Sequence, residues 1–343
     1  MKQDLTYSIY INRDELQLLL NLIRDDLIVL EYPLYQLKML RVQSAGKKYR
    51  VHVTCREEDF ESVLSTCGNY AEELPSYDDI SYCMLLSRIA DYRNMEEFRE
   101  KLKLYEKLDK TVYFALDTNL FYQGFPTKAS FIKNPNYLVV NTVYNEIEGA
   151  INHKYHPHQI YEMAQIVDYH EELLAELENR KTKKARKASY VAMKEYRAIR
   201  NGALEIEAIE PATYSKEQND LIIVRTLRDF DFTVKYGHTV LLTADTNVSN
   251  LCMGKGPECF LFEYPSPLEA SECTAKQLVD LIFSLAVTCG LIKLNFVVIY
   301  GEFSYKGRRD NDLKLVFQNE KLYRLFMIEL ETCRKLMNLG IEK

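Results

Sequence analysis

The chain has 343 residues, 47% of them hydrophobic and 27% charged, with a formal net charge of -6. This length accommodates two or three domains and a large core, and the composition is that of an ordinary soluble globular protein. The acidic balance gives no global sign of a nucleic-acid partner, so any basic function has to be local.

Residues 1–110 read as an α/β accessory region. "LTYSIYI" (5–11) alternates as a strand does, and the text from Asn12 to Leu30 carries an apolar helical stripe behind an Asn cap. Residues 37–55 alternate on both sides of Ala-Gly-Lys, which predicts a hairpin. Helical text follows at 57–73 and 78–109. The pattern changes over residues 111–265. Short apolar runs such as "TVYFALD" and "NYLVVN" alternate there with helical segments, which predicts a parallel sheet covered by helices. About sixty residues (155–211) interrupt this pattern with helical spacing, too long for a loop, and are expected to form an inserted helical hairpin. Residues 266–343 form a C-terminal α+β extension, with strands flanking "GRRDN" and a final amphipathic helix stopped by glycine. Both terminal regions place hairpins beside helices, and the sequence leaves open whether they pack together.

The eight cysteines are scattered and no Cys-x-x-Cys occurs, which argues against a zinc cluster and for reduced core thiols. The N-terminus lacks a basic-then-apolar leader pattern, and the apolar run 278–292 is too short to span a bilayer. A cytoplasmic, reducing setting without a membrane partner is expected. A homo-oligomer is compatible with the sequence.

Two segments echo each other: "YFALDTNLF" (113–121) and "VLLTADTNVSN" (240–250). Each sets an apolar run directly before Asp-Thr-Asn. Alone, each Asp-Thr-Asn is an N-cap or an Asx turn. In a parallel sheet, however, Asp117 and Asp245 would both stand at strand carboxyl ends, where ligands gather. Two more acids lie between them: Glu146 after "LVVN", at a strand–helix junction, and Asp220 in the first turn of an apolar helix with Asn219 as its cap. Negative groups suit helix starts, so each of these also has a purely structural explanation.

The ordered set "LDTNLF", "VVNTVYNEIEG", "NDLIIVRTL" and "VLLTADTNVSNL" resembles the PIN-domain nuclease superfamily, over roughly residues 111–262 without the insertion. All four acids fall at matching positions. The resemblance implies a PIN-like fold and a metal site made by Asp117, Glu146, Asp220 and Asp245. It favours Glu146 over Glu148, which a helix would turn about 200° away. Carboxylates in one crevice repel, and a divalent cation relieves that repulsion; all-oxygen ligation points to Mg²⁺ or Mn²⁺ rather than zinc. Water activated by such a cation attacks a phosphodiester in line. On this reading Asp117 and Asp245 are the direct ligands, and Glu146 and Asp220 complete the shell or orient water. Asn119 and Asn247 bind the scissile phosphate or fix carboxylate rotamers, Thr118 and Thr246 are turn residues, and Thr243 reaches phosphate or metal water. Haloacid-dehalogenase-like phosphatases also start with an Asp after a strand, but they want D-x-D-x-[TV]; here Asn119 takes the second place and no partner lysine is evident.

"NRKTKKARKASYVAMKEYRAIR" (179–200) holds nine Lys/Arg and one Glu. A charge run of this kind is ordinarily a solvated face, but inside the acid-bearing domain it also suits a phosphate-backbone clamp through Lys181, Lys183, Lys184, Arg186, Lys187, Arg197 and Arg200. Tyr190 and Tyr196 fit base stacking or core packing. His153, His156 and His158 cluster without an acid or cysteine at metal spacing, and Pro157 marks a helix start. The arginines of "GRRDND" sit in a turn and offer a second phosphate contact. Two functions follow as expectations: a metal-dependent nuclease acting on RNA, and a non-catalytic nucleic-acid-binding or scaffold protein with a PIN-like fold. A toxin-type ribonuclease would resemble the core alone.

Overall fold

The computed structural model describes residues 7–24, 27–129, 131–132, 135–150, 157–166, 173–174, 177, 186–213, 215–254, 256–266, 268, 270–301, 303 and 311–341. It divides into two compact units: one comprises Met1–Ala90, Lys154–Lys187 and Pro267–Lys343, the other Asp91–His153 and Ala188–Ser266. Along the chain the first strands are β1 (Ser8–Asn12), β2 (Ile28–Tyr32), β3 (Leu37–Ala45) and β4 (Lys48–Val53). Next come β5 (Thr111–Leu116), β6 (Asn136–Val140), β7 (Leu204–Ile206), β8 (Gly237–Thr243) and β9 (Glu258–Leu261). The last are β10 (Ser271–Cys273), β11 (Leu291–Leu294), β12 (Val297–Tyr300) and β13 (Asp312–Phe317).

The terminal regions build one body. Their strands form an eight-stranded sheet in the order β1-β13-β12-β11-β2-β3-β4-β10, antiparallel throughout. Its core helix, Ala275–Cys289, buries every residue from Leu281 to Cys289 and packs on the helix Tyr77–Leu86, where the Cys83 thiol donates to Thr288 Oγ1 at 3.5 Å. The apolar run 278–292 is therefore core, and among the described residues no helix is long and apolar enough to cross a membrane. All eight cysteines are free thiols.

One expectation in this unit needs correction. The helix after β1 stops at Leu22, and Ile28–Tyr32 is a strand. Its residues alternate between buried and half-buried, and its partners are β3 and the distant β11. Leu291–Leu294, after the core helix, is a strand as well. It turns into β12 through Asn295, whose φ of 48° is left-handed and whose side chain accepts from Val29 N at 2.8 Å. Short apolar runs do not declare helix or strand by periodicity alone, and here partners about 260 residues away in sequence decide. The β12–β13 hairpin is present, but 304–310 of its connection, with the "GRRD" arginines, lies outside the described residues.

The second unit is a parallel α/β layer structure. Its five strands run in the order β7-β6-β5-β8-β9, all parallel. β7 corrects the expected hairpin over 155–211: three residues near its end join the sheet edge instead. Within the remainder, helices Pro157–Ile166 and Arg186–Arg200 are described. Neighbouring residues of β5 point to opposite faces. Phe114 meets Phe98 of the helix Met95–Tyr105 at 6.4 Å, and Tyr113 meets Phe230 of the helix Lys216–Thr233 at 5.4 Å. Helices thus cover both faces. The first is sealed by an aromatic cluster in which Phe98, Phe125 and Tyr92 stand 4.9, 5.0 and 4.6 Å from Phe262.

Two glycines give a paired test of the packing. At Gly301, after β12, a Cβ would stand 2.1 Å from Ala286 O in the core helix, while at Gly149 it would meet nothing within 4 Å among the described residues. Gly301→Ala is expected to cost about 1–3 kcal/mol or more by forcing backbone apart. Gly149→Ala, inside a helix, is expected to gain about 0.5–1 kcal/mol. Thermal or urea unfolding of the two variants checks both signs.

Candidate functional site

The chain passes outward from β5 through β6 to β7, then returns to place β8 on the other side of β5. The strand order therefore reverses between β5 and β8, and ligands of open parallel sheets bind beyond the strand carboxyl ends at such a point. The register pairs Leu116 with Leu242, and Asp117 N extends the ladder to Leu242 O at 3.1 Å. Asp117 and the end of β8 are consequently side by side. Each Asp-Thr-Asn also caps a helix. Asp117 accepts from Thr118 N at 2.7 Å and caps Thr118–Tyr122; Asp245 accepts from Asn247 N at 2.9 Å and caps Thr246–Cys252.

A hydrogen-bonded chain links three of the acids. The fully buried Thr243 donates its hydroxyl to Asp117 Oδ2 at 2.7 Å, and its oxygen accepts from Asp245 N at 2.9 Å. The Thr118 hydroxyl donates to Glu146 Oε2. Asn219 Nδ2 donates to Glu146 Oε1 at 3.1 Å, while its own carbonyl accepts from Thr213 N at 2.7 Å. Asn119 Nδ2 donates to Asp117 Oδ2 at 3.3 Å and so fixes that carboxylate. The exposed Asn247 contributes its N–H, and its side chain makes no hydrogen bond among the described residues.

Asp220 is only 4% exposed, and its carboxylate accepts no hydrogen bond among the described residues. The electrostatics place it with the others. Burial, then the charge of Asp117, with further contributions from Glu146 and Asp245, push its carboxyl up to about 7 against the pull of Lys216. Burial pushes Asp117 up to about 6; Glu146 and Asp245 add to the rise, and the Thr243 hydroxyl and Thr118 N–H oppose it. Burial also acts on Asp245, but the Lys216 ammonium and the Asn247 and Val248 N–H groups outweigh it and hold this carboxyl below the usual range. Lys216 Nζ sits on Asp245 Oδ2 at 2.5 Å.

The structure thus brings Asp117, Glu146, Asp220 and Asp245 together, with local details that differ from expectation. The helix carrying Glu146 begins at Asn141, so Glu146 is in its second turn rather than at a strand–helix junction. Glu148 points elsewhere: it is exposed and accepts from the Tyr144 hydroxyl at 2.8 Å. Ser215, not Asn219, caps the helix Lys216–Thr233 through Gln218 N. Asp220 is that helix's fifth residue, beyond the four unpaired N–H groups of a helix start, so capping does not explain it. Thr118 is no mere turn residue. Lys216 had one signal in sequence, its four-residue spacing to Asp220.

The basic stretch is only partly described. Lys181, Lys183 and Lys184 lie outside the described residues, and of Arg186 and Lys187 only the helical backbone is described. Arg197 and Arg200 are exposed, Arg200 standing 3.6 Å from Glu205. Tyr196 is buried against Tyr144 and Phe121, at 5.3 and 5.9 Å, and is core rather than a stacking platform. His153 and His156 lie outside the described residues; His158 is the second residue of the helix begun by Pro157.

Whether a divalent cation fits can be judged from the donors. They are all oxygen, suited to Mg²⁺ or Mn²⁺, and their mutual repulsion is met in part by one ammonium. They do not form a closed cage: among the described residues, no group of three or more His, Cys, Asp or Glu side chains is arranged to hold a metal. The chemistry fits, and the arrangement with Lys216 on Asp245 is an open one.

No family model and no curated protein matches the chain. Among solved structures, a domain of a functionally unknown protein from Methanocaldococcus jannaschii DSM 2661 is similar over 46% of this chain and 94% of that one. Its identity of 16% and TM-score of 0.30 carry no argument about fold or function.

The raised carboxyls give a pH signature. Asp117 and Asp220 titrate higher in the folded chain than in the unfolded one, where about 4 is usual. Between about pH 4 and 7 the folded state therefore binds more protons, and stability falls as pH rises through that window. In metal-free buffer, D117N/D220N should lose about 1–3 kcal/mol less than wild type between pH 5 and pH 8. Unfolding curves at both pH values measure the difference.

Proposed function

We propose that the parallel-sheet unit is a PIN-like, divalent-metal-dependent nuclease that hydrolyses phosphodiester bonds in RNA. The observation that carries this reading is the meeting of four acids at the strand-order reversal: Thr118 and Thr243 link Asp117, Glu146 and Asp245, and burial, with the neighbouring carboxylates adding to it, raises Asp117 and Asp220. Such an arrangement destabilises the folded chain unless a cation is recruited, and a structural cap would not need it. The Mg²⁺ or Mn²⁺ supplies counter-charge and an acidified water for attack on phosphorus.

The protein's own groups then have distinct tasks. Asp117 and Asp245 hold the cation from the two central strands. Glu146 and Asp220 complete the set from helices, with Asn219 aiming Glu146 and Asn119 fixing Asp117. Thr243 locks the distance between the two strand-end acids. The side chain of Asn247 is available to a phosphate. Lys181, Lys183, Lys184, Arg186, Lys187, Arg197 and Arg200 supply sequence-independent backbone contacts.

The other reading, a non-catalytic nucleic-acid-binding protein, is favoured by the seat of Lys216 on Asp245, which occupies one of the carboxylates a cation would need. Turnover separates the two. D117N/D245N is expected to lower Mn²⁺-dependent cleavage of an RNA oligonucleotide by at least about 10³-fold while the variant stays folded. Undiminished cleavage, or none in wild type with Mg²⁺ or Mn²⁺, rejects the nuclease reading. Replacing the five basic residues from Lys181 to Lys187 with Gln should flatten the dependence of RNA binding on salt by up to about 3.5–4.5 in the log–log slope, at roughly 0.7–0.9 per lost contact. An unchanged slope assigns the stretch to plain solvated surface.

A further inference from the structure

Lys216 is the first residue of its helix, where the helix dipole disfavours a cation. Its ammonium nonetheless sits on Asp245, whose side chain is 11% exposed, while the lysine's own side chain is 54% exposed. This is not a pair between two solvated groups, which contribute little. The spacing of four residues also sets Lys216 on the same helical face as Asp220.

We propose that Lys216 is a built-in counter-cation: seated on Asp245, it holds the metal-free site together and has to leave that carboxylate before a divalent cation can be bound there. The proposal rests on the metal reading above. A single ammonium seated on Asp245 offsets part of the repulsion among the acids and occupies a carboxylate oxygen that a cation would need. The half-exposed stem lets Lys216 swing to solvent without unpacking a core. A divalent ion carries twice the charge and accepts several ligands, so it wins the exchange at sufficient concentration, at the cost of displacing the ammonium. Lys216 is thus a positioning residue that sets the cation concentration at which the site loads.

The test uses the full chain and Mn²⁺ alone, titrated calorimetrically at neutral pH into wild type, K216M, K216R and D117N/D245N, with metal-free unfolding of each. K216M is expected to bind Mn²⁺ about tenfold tighter or more, since a repelling charge and a competitor are both gone. It should also unfold at a lower temperature than wild type without metal, and K216R should resemble wild type in both. Equal or weaker Mn²⁺ binding by K216M, with binding by wild type and none by D117N/D245N, overturns this role while leaving the metal site standing. No Mn²⁺ binding by wild type or K216M overturns the metal reading and this proposal with it.

Discussion

Like charges resist being brought together, and the second unit brings four of them together at one end of its sheet. Asp117 is 2% exposed and Asp220 4% exposed, so solvent does little to relieve them. Their raised carboxyls express this cost directly. The surrounding hydrogen bonds answer it. Thr243, Thr118, Asn119 and Asn219 each donate to a carboxylate, and Lys216 adds a positive charge. A group of acids held this firmly costs the fold stability that a mere helix cap would not.

Sheet topology imposes this convergence. Because β5 and β8 are parallel neighbours on which the strand order turns, their carboxyl ends open on the same side, and the Leu116–Leu242 register brings Asp117 level with Thr243. The aromatic cluster around Phe262 and the helix Lys216–Thr233 hold the two faces in place. The helix also delivers Lys216, Asn219 and Asp220 from a single turn and its continuation. The antiparallel body built by both termini carries none of these acids.

Sequence reading reaches the parts whose cause is local. β5, β6, β8 and β9 are apolar runs stopped by polar turn residues, and the order of the four acids along them is visible without a structure. What escapes is decided at a distance. β7 is three largely exposed residues, recognisable only once β6 lies beside it. β2 and β11 merge by composition into the helices before them, and each becomes a strand by pairing with the other across the chain. Asn219 reads as a cap because Asn caps helices, yet Ser215 takes that place and frees Asn219 for Glu146. Lys216 is not singled out by the sequence, because its partner is 29 residues further along.

The proposal that these acids form one divalent-cation site is tested most directly in crystals grown without metal and soaked in Mn²⁺, by anomalous scattering. One strong peak is expected at direct ligation distance, about 2–2.5 Å, from Asp117 and Asp245 carboxylate oxygens, with the Lys216 ammonium turned away. A structure at saturating Mn²⁺ with no peak there, and Lys216 still seated on Asp245, would contradict a cation site at these residues.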